Sequence, residues 1–154
     1  METIIASGIA VLGTLLGSGL TLAYQQRATD RTHAFTRREK LRQERLDAYS
    51  VFAGALLNYR RSLVHLWFCE HEQPPPEDPD TVRVRAYDLR SAAQEALFRV
   101  QMLTPDDELS RTAEAVLADV TAVLKTDSRP EFDARRVRTR DAIALLISTA
   151  KQHL

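Results

Sequence analysis

The chain changes its apolar rhythm twice. Residues 3–26 contain no charged side chain, and residues 4–24 (IIASGIAVLGTLLGSGLTLAY) are almost entirely apolar or small. A helix of that length, rising ~1.5 Å per residue, crosses about 30 Å of hydrocarbon, so the stretch predicts a single transmembrane helix. Residues 27–45 are polar on every side, lack Gly and Pro, and are dense in good helix formers, which predicts a helical stalk. At Tyr49 a new pattern starts. Tyr49, Phe52, Leu56, Tyr59, Leu63 and Leu66 alternate steps of three and four, the seam of a helix packed against others, and this helix is expected to end near Cys69.

The run QPPPEDP (residues 73–79) cannot continue a helix, because proline lacks the amide donor and clashes with the preceding turn. Val82, Ala86, Leu89, Ala93, Ala96, Val100 and Leu103 then make a second seam that stops at Thr104. Thr104 as N-cap and Pro105 in the first turn, followed by Asp106, Asp107 and Glu108, predict a third helix with seam Leu109, Ala113, Val116, Val120 and Val123. Ser128 and Glu131 form a capping box ahead of a fourth helix carrying Phe132, Val137, Ile143, Leu146, Ile147 and Ala150. No strand pattern occurs. The expected fold is all-α: a transmembrane anchor (1–25), a basic helical stalk (26–45) and an antiparallel four-helix bundle (46–154). Its helices are expected to be matched at about 20 to 24 residues, roughly 30 to 36 Å. A heptad coiled coil is the competing arrangement, and the Pro-rich break with two capped starts favours folding back.

Charge settles orientation within this frame. The whole 154-residue chain balances 21 basic against 21 acidic residues, but Arg27, Arg31, Arg37, Arg38, Lys40, Arg42 and Arg45 face only Asp30, Glu39 and Glu44 next to the apolar run. By the positive-inside rule the bundle is expected to be cytoplasmic and the N-terminus outside, at the plasma membrane. A cleavable signal peptide needs a basic opening, whereas Glu2 is the only charged side chain before the run. Ala10, Gly13, Thr14, Gly17, Ser18 and Thr21 recur at three- and four-residue spacing and include a GxxxG pair, a face on which two membrane helices pack closely.

Two basic groups are candidates for lipid or partner contact: the stalk set from Arg27 to Arg45, and Arg135, Arg136, Arg138 and Arg140 in the fourth helix. Residues 46–154 hold 14 basic and 17 acidic groups, which disfavours a dedicated nucleic-acid-binding bundle. His65, Cys69 and His71 are the nearest approach to a metal-ligand cluster, yet they lack the paired spacing of zinc sites, and His33 and His153 are the only other histidines. No phosphate loop, GxSxG or HExxH occurs, and Cys69 has no evident electropositive setting. No catalytic residue, metal or cofactor is expected. Trp67, Tyr59 and Phe68 concentrate aromatic area in the first bundle helix and are expected to be core.

The short uncharged opening, the VLGTLLG run, the Arg-rich exit and the Ala- and Arg-rich helices together resemble the KilB-like small membrane proteins of actinomycetes. The resemblance covers the first 45 residues best and the bundle only in length and composition. It implies a role in conjugative plasmid spread within the mycelium. The expected function is a non-enzymatic, membrane-anchored interaction protein, in plasmid spread or another envelope-associated process, contacting membrane lipid and a protein partner or a second copy. The alternative is a membrane-tethered, nucleic-acid-associated factor using the basic stalk.

Overall fold

A computed structural model gives four α-helices, α1 (Glu2–His71), α2 (Pro79–Leu103), α3 (Asp107–Thr121) and α4 (Arg129–Ala150), with 3₁₀ turns at Ala122–Leu124 and Lys151–His153. The structure describes the side chains of residues 33–154, among which no strand occurs. The expected membrane span, its packing face Ala10, Gly13, Thr14, Gly17, Ser18 and Thr21, and Arg27 and Arg31 lie outside the described residues. Among the described residues no helix is long and apolar enough to cross a membrane. The chain divides into two compact units, Met1–Leu41 and Arg42–Leu154, and the second holds the core.

Side-chain pairings fix the order of that second unit. Asp47 meets Arg99 at 2.8 Å and Glu70 meets Arg83 at 2.7 Å, so α1 ascends while α2 descends beside it. On the other flank Arg60 bonds Thr139 at 3.0 Å, and Trp67 stacks on Phe132 with ring centroids 4.1 Å apart, so α4 is also antiparallel to α1. Asp119–Arg138 at 3.5 Å and Asp106–His153 at 3.4 Å do the same for α3 and α4. The unit is therefore an antiparallel four-helix bundle in which α1 neighbours α2 and α4.

The seam of α1 is buried as its spacing requires: Tyr49, Phe52, Leu56, Tyr59, Leu63 and Leu66 all lie in the interior. Val82, Ala86, Ala93, Ala96 and Val100 are buried from α2, with Leu97 added, and Leu89 and Leu103 pack half-buried against them. Leu109, Ala113, Val116, Val120 and Val123 come from the third segment, with Leu117 added. Small alanines facing large residues let the helices approach closely and keep the interior filled.

Several expectations are corrected. Val137 is 49% exposed and Ile147 36%, whereas Thr139 is fully buried. Position 137 is five residues from Phe132, about 140° around the helix at 100° per residue, so it points away from the line 132, 139, 143, 146, 150. The third helix does not open at Thr104. That residue closes α2, its amide donating to the Val100 carbonyl, and its hydroxyl pairs with the Tyr49 hydroxyl at 3.0 Å. Asp106 caps α3 instead, accepting from the amides of Glu108 (2.8 Å) and Leu109 (3.3 Å), where a carboxylate also faces the positive helix end.

Nor is α3 matched in length to its neighbours. It has 15 residues and tightens into the 3₁₀ turn that buries Val123. The Thr126 hydroxyl then donates back to the Val123 carbonyl, and the Trp67 indole donates to the Thr126 carbonyl, so the connection is tied to the core. Ser128 caps α4 as expected, accepting from the Glu131 amide at 3.4 Å.

Pro79 belongs to α2 rather than to the loop: Asp78 is the N-cap, accepting from the Thr81 amide at 2.8 Å and its hydroxyl at 2.6 Å. Those bonds hold the Asp78 carboxyl below its ordinary pKa, the hydroxyl first. Beside it, Glu77 is lowered by hydrogen bonds from Arg85 and then His65. A carboxyl whose folded pKa is depressed contributes stability that is present at neutral pH and lost on acidification. The urea midpoint should therefore fall as pH drops through the ordinary carboxylate range at about 4 and below. A Glu77→Gln, Asp78→Asn variant should start lower at pH 7 and lose less between pH 7 and pH 3; equal losses would show that this loop does not feel the titration.

Candidate functional site

Beside its buried seam α1 carries a second line at the same spacing, Leu46, Ser50, Gly54, Leu57, Arg61, Val64 and Phe68. Successive steps of three and four keep these residues on one stripe. Across from it α4 supplies Ile147, Arg140, Val137 and Arg136. Between the two helices runs a groove with two chemically different halves.

The first half is a pocket of about 410 Å³ lined almost wholly by carbon, including Leu46, Phe52, Leu57, Leu146, Ile147 and Leu154. Its polar members are occupied or at its rim: the Tyr49 hydroxyl is bonded to Thr104, and the Ser50 hydroxyl donates to the Asp47 carbonyl. The second half, about 610 Å³, is bounded by Arg60, Arg61, Arg136 and Arg140 around Leu57, Val64, Val137 and Phe68. Leu57 lines both, so the halves adjoin at that side chain. Exposed apolar side chains arrayed beside fixed cations are the composition of a recognition surface.

Arg60 is the fixed element of the basic half. Its Nε donates to the Thr139 hydroxyl at 3.0 Å and its terminal nitrogen to the Arg136 carbonyl, while the Thr139 hydroxyl donates to the Arg135 carbonyl at 2.9 Å. Burial lowers the Arg60 pKa, and so do the neighbouring Arg136 and Arg140. Arginine stays charged at working pH, so the lowering reflects burial first and like charge second, with Asp141 acting the other way.

The basic residues singled out from sequence fall into different settings. Arg37, Arg38, Lys40 and Arg42 are exposed on α1. Arg45 donates through Nε to the Leu103 carbonyl at 2.9 Å, and Arg135 donates to the Ala122 carbonyl at 3.2 Å. Arg45 thus satisfies a carbonyl left over where α2 ends, whereas the Ala122 carbonyl also accepts the Lys125 amide at 3.0 Å. Arg138 lies 3.5 Å from Asp119, Arg136 lies 3.5 Å from Asp133 and Arg140 lies 2.9 Å from Asp141. Among the described members of the set only Arg136 and Arg140 line the groove, where they meet Arg60 and Arg61, which carry no sequence signal of their own.

The polar end of α1 is structural in its contacts. His65 pairs with Glu77 at 3.0 Å, Cys69 is buried with its sulfur 3.7 Å from His65, and His71 sits on the Trp67 carbonyl at 2.8 Å with its ring stacked on the indole. No group of three His, Cys, Asp or Glu side chains among the described residues is placed to hold a metal ion.

A family model described as KilB plasmid transfer protein matches residues 46–154, which is every bundle helix and both walls of the groove. The chain belongs to this family. No curated protein and no solved structure matches it. The KilB match corrects where the kinship lies. The resemblance is clearest to the eye over the first 45 residues, whose uncharged run and basic flank are unspecific, whereas the KilB signature is carried by residues 46–154.

Proposed function

We propose that this KilB-family chain is a membrane-anchored, non-enzymatic interaction protein of plasmid transfer, and that the α1/α4 groove is the surface on which its bundle engages a protein partner. The observation that carries the reading is the exposed stripe of Leu57, Val137 and Ile147 beside fixed arginines, a stripe that the core does not use. The uncharged stretch at residues 3–26 followed by a basic flank supports an anchor with the bundle on the cytoplasmic side. The carbon-lined half of the groove offers nothing for a phosphate backbone to meet, which favours a protein over a nucleic acid.

Leu57→Glu with Val137→Glu tests this. Both positions are about half exposed, so the double variant should melt like the wild type. Plasmid transfer between cells should fall to the level of a strain lacking the protein. Transfer at the wild-type level would overturn the assignment of the groove.

A further inference from the structure

We infer that the groove takes an acidic amphipathic helix of a partner protein, its apolar face on the pocket half and its carboxylates on the arginine half. The inference rests on reading the α1/α4 face as a docking surface and adds what docks there.

Form comes first. Two antiparallel helices side by side leave a furrow parallel to both, and the stripe on α1 from Leu46 to Phe68 runs roughly 33 Å at 1.5 Å per residue. A third helix laid in such a furrow presents anchors at i, i+3, i+4 and i+7. A single acyl chain could fill the 410 Å³ pocket, but it would leave the arginine half unused.

Charge then selects the sign. Arg60, held by Thr139 and the Arg136 carbonyl, cannot swing away from Arg136 and Arg140. Arg61 is exposed on the same rim and joins no ion pair among the described residues. Carboxylates from outside relieve this crowding through paired guanidinium contacts. A second copy docking by the same face about a two-fold axis would lay its arginines on the carbon-lined half of its partner and bury them without carboxylates, so its own surface selects against that partner.

Gly54 is the independent observation. It stands inside α1, where glycine is the worst helix former short of proline, and nothing lies within 4 Å of the position a Cβ would take. No neighbour within the described structure requires the missing side chain. A partner backbone approaching closely at this point, in the wall of the apolar half, would account for it.

The test uses the full chain in zwitterionic nanodiscs and a fluorescein-labelled helical peptide of about 22 residues, with leucines at i, i+3, i+4 and i+7 and glutamates beside them. Two controls carry lysine for glutamate, or the same composition scrambled. Anisotropy should show the acidic periodic peptide binding at least about tenfold more tightly than either control and weakening as salt rises. Arg61→Glu with Arg140→Glu should lower its affinity about tenfold or more. Gly54→Leu should weaken binding similarly, while Gly54→Ala should raise the thermal midpoint. Equal binding of the scrambled peptide, or unchanged affinity in both the arginine variant and Gly54→Leu, would overturn the inference. So would displacement of the peptide by diheptanoyl phosphatidylglycerol but not by diheptanoyl phosphatidylcholine, which would give the groove to an anionic lipid, or self-association through Arg61 and Arg140, which would give it to a second copy. If the acidic peptide does not bind while Leu57→Glu with Val137→Glu still abolishes transfer, the docking face stands and the acidic helix falls. If transfer is also unaffected, both fall.

Discussion

Val120→Asp and Leu56→Asp should each abolish the cooperative thermal transition of the bundle. Both side chains are fully buried, Val120 on α3 and Leu56 on α1, and both belong to the one core that all four helices share. An aspartate there would stand among the apolar side chains of the core. Burying its carboxylate, charged or protonated, costs several kcal/mol, against a total stability of about 5 to 15 for a domain of this size. The penalty consumes most or all of the margin. Circular dichroism during heating of the full chain reads the outcome, and Val84→Asp, at a position 63% exposed, is the control that should melt like the wild type. Cooperative melting of Val120→Asp within a few degrees of the wild type would show that the third seam is not core.

That prediction could be written from sequence because the property it tests is local. Steps of three and four place a side chain on one face of its own helix, and burial follows wherever any partner covers that face. Tyr49 to Leu66 and Leu109 to Val123 obeyed this rule residue by residue. The rule erred where two lines of apolar residues run side by side. Val137 and Ile147 are apolar and helical in spacing, yet they sit outside the packed line, since composition does not say which of two adjacent stripes the bundle will cover.

Caps divided for a similar reason. Ser128 could be read because Glu131 stands three residues after it in the capping-box position, whereas Thr104 lost the role to Asp106 once its hydroxyl was engaged by Tyr49, 55 residues earlier in the chain. Arg45 and Arg135 were legible as basic but not as partners of distant carbonyls, because Leu103 and Ala122 belong to α2 and to the turn after α3. The groove was the least legible feature. Its walls lie some 80 residues apart in sequence, as the Arg60–Thr139 bond shows, so only the antiparallel pairing of α1 with α4 brings Arg60 and Arg61 beside Arg136 and Arg140.

The aromatic cluster where α1 ends should give the second large effect, because it joins three elements that no other contact unites so directly. Phe132, fully buried in the first turn of α4, stacks on Trp67 at 4.1 Å and meets Phe68 edge-on at 5.6 Å. Trp67 is tied in turn to the segment between α3 and α4 by its indole bond to the Thr126 carbonyl, and the Arg129 guanidinium lies 5.0 Å from the Phe68 ring centre. Phe132→Ala removes the ring from a site closed on every side, so a cavity remains. The expected loss is about 3 to 5 kcal/mol by urea unfolding. Phe132→Leu keeps most of the volume and should lose markedly less. Trp67 is the one tryptophan of the chain, so its emission reports the same site directly. A double-mutant cycle with Trp67→Ala should leave a coupling of about 0.5 to 1.5 kcal/mol for the stacked pair, beyond the area each ring buries. Additive losses would reduce the cluster to two independent hydrophobic plugs. A Phe132→Ala protein within about 1 kcal/mol of wild type would mean that α4 is held by Ile143, Leu146 and Ala150 alone, and that its first turn is free to leave the bundle.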